Sequence, residues 1–128
     1  MQPHRLHLVP LDGLFAIAKL PPDATIPAWA SSGPFFSITR TDDELSVVCA
    51  EDQVPPGVQA EPGWRCMRVV GKMDFSVVGV LASLVGPLAE AGISVFAVST
   101  FDTDYLLVQD AVWERAQEVL KAAGHRFV

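Results

Sequence analysis

Between Ser99 and Asp104 the chain reads Ser-Thr-Phe-Asp-Thr-Asp, which puts three hydroxyls, two carboxylates and an aromatic ring within six residues. Two kinds of chemistry suit such a set. A hydroxyl beside a carboxylate is the start of a nucleophile with its base, which catalysis requires. A carboxylate beside an aromatic ring receives a cation instead: Asp104 can take an ammonium or guanidinium group while Phe101 lies against its aliphatic or cationic side chain. No histidine lies near this segment, and Lys72 is the only basic group close to it in sequence. A convergent catalytic set is therefore absent, and the chain is not expected to be an enzyme.

A second set, Asp74-Phe75-Ser76-Val77-Val78-Gly79, leads into an apolar pattern with helical spacing. The first turn of a helix has orphan N–H groups and the positive end of its dipole, which suit a carboxylate. Gly79 lets a ligand approach the backbone closely or lets a helix sit close to a sheet. Asp74 can hold a cation, or it can simply cap the helix, as can Ser76. Asp102 and Asp104 also fit the solvated acids common in hairpin turns. Cys49 and Cys66 sit in apolar, strand-like stretches and are expected to be free buried thiols. No CxxC, Cys-His cluster or HExxH is present, and His4, His7 and His125 show no metal-ligand spacing. No metal or cofactor is expected.

These residues need elements to position them. The chain has 128 residues, half of them apolar, with 9 basic and 15 acidic side chains. That suffices for one domain or two very small ones. A net charge of −6 argues against nucleic acid or an anionic membrane surface as partner. The uncharged run Phe75 to Ala89 is broken by Gly79, Gly86 and Pro87 and falls short of a membrane span. The opening MQPHRLHLVPL is unlike a secretory signal, and a cytoplasmic location is expected.

The stretch Val54 to Trp64 (VPPGVQAEPGW) holds three prolines and two glycines and reads as a linker. It places a boundary between units 1–60 and 61–128. Sliding the sequence on itself by 60 residues lays Phe36–Val48 over Phe96–Val108, each a strand, a short acidic turn and a strand, with Phe36/Phe96, Asp42/Asp102 and Val48/Val108 identical. A repeated hairpin implies a repeated supersecondary unit. In the second half, Trp64–Val70 reads as a strand and 77–91 as a helix stopped by Gly92, with Pro87 expected to kink it or loosen its last turn. Ile93–Thr100 and Tyr105–Val108 follow as strands. A helix over 111–123, capped by Asp110 and ended by Gly124, precedes a short edge strand. The order βαββαβ is ferredoxin-like. The first half is a worn copy: Leu14–Leu20 is its first strand, and both helices shrink to a turn. The expected fold class is α+β, two ferredoxin-like units with the first degenerate. Trp29, Trp64 and Trp113 are expected to be core or interface anchors.

The segments Val80-Leu81-Ala82-Ser83-Leu84, Pro87-Leu88-Ala89-Glu90-Ala91-Gly92-Ile93-Ser94 and Ser99 to Val108 resemble the ACT domain. The likeness is to the tandem-ACT group of small standalone bacterial proteins, similar to the regulatory region of aspartate kinases and to the cytosolic CASTOR arginine sensors of animals. It covers about 30 residues well and, with the weaker first copy, nearly the whole chain. The resemblance implies a regulatory or sensory module holding a free amino acid at an interface between ACT domains. Carried over, the ligand-binding residues are Asp74, Phe75, Ser76, Val77, Val78 and Gly79 of the helix entry, with Thr100, Phe101 and Asp104 of the strand-turn-strand. The animal sensors have four such domains, so a complete site here implies a homodimer or larger oligomer, and output through an unnamed protein partner. The other reading is a ligand-free oligomerisation or interaction module.

Overall fold

The computed structural model describes residues 4–70 and 78–128. In chain order the elements are β1 (His7–Pro10), β2 (Phe15–Leu20), β3 (Ser37–Arg40), β4 (Leu45–Ala50), β5 (Gln59–Val69), α1 (Val80–Glu90), β6 (Phe96–Ser99), β7 (Asp104–Gln109), α2 (Trp113–Ala122) and β8 (Arg126–Phe127). Single 3-10 turns lie at Ala28–Ser31, Glu51–Gln53 and Asp110–Val112. The residues divide into two units, Gly13–Trp64 and the combination of Met1–Asp12 with Arg65–Val128.

The Gly13–Trp64 unit has strand order β3-β4-β2-β5, every pair antiparallel. With β2 as first strand and the opening residues of β5 as fourth, this is the ferredoxin-like order. The two helical positions hold only 3-10 turns. One reason is length: 16 residues (21–36) join β2 to β3, where 26 (70–95) join β5 to β6. The other is Pro55-Pro56, which follow the Glu51–Gln53 turn and supply no N–H to extend it. Ala18, Ala30, Val47 and Cys49 form a small buried core, with Trp29, Ile38 and Val54 packed on it. Small side chains let the turn at Ala28–Ser31 settle where a helix would otherwise stand.

One expectation needs correcting here. Gln59–Trp64, read as the end of a linker, is strand: Ala60 pairs with Ala18 and Trp64 with Phe15. Gly63 and Pro62 misled the reading. The register shifts between Phe15 and Ile17, an irregularity of the kind that accommodates such residues in a strand.

In the second unit β7 lies between β5 and β6. On the other side of β5 stands β1, antiparallel, with Leu8 opposite Val69. β8 then pairs with β1 in parallel, His7 opposite Arg126. In a plain βαββαβ unit the fourth strand would neighbour the first. Here β1 takes that place and β8 becomes the outer strand. The division therefore differs from the expected 1–60 and 61–128: Leu8 is fully buried in the same core as Met67, Val69, Leu84, Leu88, Leu106, Val108, Trp113 and Leu120. An apolar side chain gains about 1.5–3 kcal/mol from such burial, which is what recruits this short strand.

Both helices end as expected. Gly92 and Gly124 have φ of 75° and 101°. Ile93 N–H donates to Leu88 O and Gly92 N–H to Ala89 O at 2.9 and 3.0 Å, and His125 and Gly124 repeat the pair on Leu120 O and Lys121 O, each pair closing a Schellman motif. The residue flanking α1 is Gly79, and the expected caps Asp74 and Ser76 lie outside the described residues. One local expectation is revised. Asp110 does not cap α2 but opens a 3-10 turn and pairs with Arg65 at 2.9 Å. α1 also continues through Pro87 to Glu90, because the Ser83 carbonyl that Pro87 cannot serve accepts the His125 ring N–H. Both cysteines are free and buried.

The repeat is real in the fold but its offset is 59. Ser37↔Val48 corresponds to Phe96↔Leu107, and the strands Leu45–Ala50 and Asp104–Gln109 carry nearly the same burial pattern. The 3-10 turns Glu51–Gln53 and Asp110–Val112 obey the same offset.

Candidate functional site

The β6–β7 turn is built by threonine. Thr100 N–H donates to Thr103 O at 2.8 Å, and Thr103 N–H donates back to Thr100 Oγ1 at 3.2 Å. Thr41 and Glu44 close the first unit's turn in the same way, with Thr41 N–H donating to Glu44 O at 2.8 Å. Phe101 and Asp102 are left at the tip, Phe101 with 78% of its surface exposed. Ser99, the Cα partner of Asp104, donates its hydroxyl to Asp104 Oδ1 at 2.6 Å. That bond orients the carboxylate and leaves acceptor lone pairs for a cation. The structure thus brings Thr100, Phe101 and Asp104 together on one turn.

Thr103, which sequence reasoning passed over, anchors that turn. It is buried, and its hydroxyl donates to Val69 O at 2.8 Å. Val69 is the last residue of β5, where the chain departs toward α1. The turn is therefore fixed to the end of β5. The available signal was the pattern Thr-x-x-Thr over 100–103 against Thr-x-x-Glu over 41–44, visible only at offset 59.

At the helix entry, Val78 is exposed and its carbonyl accepts from His4 Nε2 at 2.7 Å. Gly79 has φ of 81°, and a Cβ placed there would lie 3.6 Å from His4 Nε2. Its carbonyl receives the first helical bond, from Ser83 N–H. Gly79 offers no side chain to cap α1, and among the described residues none bonds its first-turn N–H groups. Asp74, Phe75, Ser76 and Val77 lie outside the described residues. His4 is a second residue that sequence reasoning missed, because its partner is 74 positions away.

Among the described residues no group of three His, Cys, Asp or Glu side chains could hold a metal. No helix among them is long and apolar enough to cross a membrane. Burial pushes the Cys66 thiol up to about 12. Burial, with a smaller contribution from Asp52, also raises that of Cys49. Neither is a nucleophile near neutral pH.

A strand-turn-strand anchored to the end of the unit's first strand, in a chain of two ferredoxin-like units, defines a class. The ACT domain model matches residues 59–122, and a second model, of an N-terminal domain type, matches residues 13–57. This chain belongs to the ACT domain family. A crystal structure of a protein from Agrobacterium tumefaciens is 45% identical, covers 98% of this chain and 93% of its own, and superposes with a TM-score of 0.94. The cytosolic arginine sensor for mTORC1 subunit 1 of Homo sapiens is 32% identical over 114 residues, 78% of this chain and 33% of the sensor. The chain spans about a third of the length of such sensors. The aspartate kinase of Clostridium acetobutylicum shares the fold at a TM-score of 0.63 and 12% identity, over 91% of this chain and 34% of the kinase.

Proposed function

We propose that this chain is a regulatory or sensory ACT protein that binds a free amino acid. The ligand sits between the helix-entry segment and the strand of a neighbouring ACT domain. The α-carboxylate meets the first-turn N–H groups of α1 near Val78 and Gly79, with Asp74, Phe75, Ser76 and Val77 completing the entry. Asp104 takes the ammonium or guanidinium group, and Phe101 and Thr100 line the other side. The observation that carries this reading is the Thr103 Oγ1 to Val69 O bond, which holds the Phe101–Asp104 turn at the strand end leading to the helix. The likeness to arginine sensors supports an amino acid as ligand and makes arginine the first to test. The role is one of binding without catalysis, in the cytoplasm, by a homodimer whose second copy completes the site and whose output passes to a protein partner.

A thermal-shift screen of the twenty amino acids tests it. At 10 mM, roughly ten times a millimolar dissociation constant, a binding amino acid stabilises the fold measurably. The shift should vanish in Asp104→Ala and in Gly79→Asp. No shift with any amino acid would favour a ligand-free interaction module.

A further inference from the structure

The chain carries a net charge of −6, yet three of its nine Lys and Arg residues, Arg5, Lys121 and Arg126, line one groove of about 570 Å3 with His7 and His125. Among the described residues no acidic side chain lines it. Among the described residues none of the three cations has an ion pair; the Arg65–Asp110 bridge lies elsewhere. Like charges gathered without counter-charge repel, and the repulsion is removed when an anion arrives.

The fold gathers them from three separate segments. β1 and β8 run in parallel, so His7 stands opposite Arg126. Arg5 precedes β1 and lays its stem over Gly124, where a Cβ would lie 3.5 Å from Arg5 Cγ. Lys121, in the last turn of α2, directs Nζ to within 5.9 Å of the Phe127 ring centroid. His125 fills the floor: it accepts from Leu6 N–H at Nδ1 and donates from Nε2 to Ser83 O, so its ring is fully engaged and the charged groups stand around it.

We propose that this groove is a binding site for a multiply charged small anion of the diphosphate or tricarboxylate type, separate from the amino-acid site. Its volume falls in the range of small-ligand pockets and exceeds what a lone inorganic ion fills. Two guanidinium forks and an ammonium match phosphate or carboxylate oxygens.

Isothermal titration of the full chain with sodium pyrophosphate and, separately, sodium citrate tests the site, with ionic strength held constant by chloride. Saturable binding of either anion is expected, and which one binds more tightly tells phosphate from carboxylate. The double variant Arg5→Gln/Arg126→Gln should weaken it at least tenfold, and Arg65→Gln should leave it within twofold. Arg5 and Arg126 are exposed and Arg65 is half-buried, and circular dichroism checks that the variants fold; if the double variant does not, the two single changes replace it. Absence of saturable binding by both anions, or binding that survives the double change, overturns the proposal. So does a double variant that merely self-associates, which would make these cations guards of the outer strand. An amino-acid thermal shift retained in the double variant would separate this site from the one proposed above.

Discussion

His125 Nε2 donates to the Ser83 carbonyl across 2.9 Å, and that carbonyl is the one Pro87 leaves without a helical donor. The ring's other nitrogen accepts Leu6 N–H at 3.1 Å, so both bonds require the neutral Nε2–H tautomer. A proline in mid-helix ordinarily costs about 3 kcal/mol or more, part of it the lost bond. Here a residue 42 positions away restores that bond.

Replacing His125 by Ala should therefore cost about 2–6 kcal/mol, because a part-buried carbonyl and a part-buried N–H both lose partners at about 1–3 kcal/mol each. Pro87→Ala restores an N–H opposite Ser83. In the His125→Ala background it should recover about 1 kcal/mol more than it gains in the native chain. A double-mutant cycle by urea denaturation measures this; strictly additive effects would show that the two residues do not serve the same carbonyl.

Thr103→Val keeps the volume of the side chain but removes the donor to Val69 O. The expected loss is about 1–3 kcal/mol. The proposed ligand touches neither atom, so weakened amino-acid stabilisation in this variant would reflect loss of the turn's position. An affinity unchanged from the native chain would mean the anchor does not position the site.

Leu8→Ala should destabilise the unit that contains α1 and α2 by about 2–5 kcal/mol, as for other fully buried leucines. A chain beginning at residue 61 lacks β1 and should not fold alone. Hydrogen exchange locates the effect: protection should fall at Met67–Val69 and in both helices, while β2 to β4 stay protected.

The Cys66 thiol titrates near 12 in the fold, above the usual cysteine value, because burial disfavours its thiolate. A folded pKa above the unfolded one leaves stability intact below about pH 8.5. Stability is then lost as pH rises toward 12, where only the unfolded chain ionises readily. Cys66→Ala should flatten that part of the decline in urea midpoints measured at pH 8, 10 and 11. Native Cys66 should also resist a thiol reagent at pH 8 that labels the unfolded chain within minutes.

Much of the second unit was legible because its signals are local. Val80, Leu84 and Leu88 repeat at helical spacing, and Gly92 and Gly124 mark the helix ends. What escaped was long-range. Nothing near His7–Pro10 announces that Leu8 belongs beside Val69. Gln59–Trp64 contains a proline and a glycine, and only pairing with β2 makes it a strand. The repeat slipped by one residue because Phe36/Phe96, Asp42/Asp102 and Val48/Val108 are identical at 60. A strand alternates faces with period two, so a slip of one exchanges inside for outside. Hydrogen bonding places Thr41 against Thr100 instead, and that leaves Phe101, with no aromatic counterpart in the first unit, at the position of Asp42. The exposed ring of Phe101 was legible from its place beside two carboxylates, while the buried anchor Thr103 went unseen.

The placement of β1 also bears on how the chain is made. β1 is made before both of its neighbours, Met67–Val69 and, in parallel, Arg126–Phe127. Gly13–Trp64 can complete its sheet soon after Trp64 emerges, whereas β1 waits for Met67–Val69 on one edge and keeps the other edge open until Arg126–Phe127 are made. Closing so long a loop is slow, and for that interval the apolar stretch around Leu8 is the part of the nascent chain most in need of shelter.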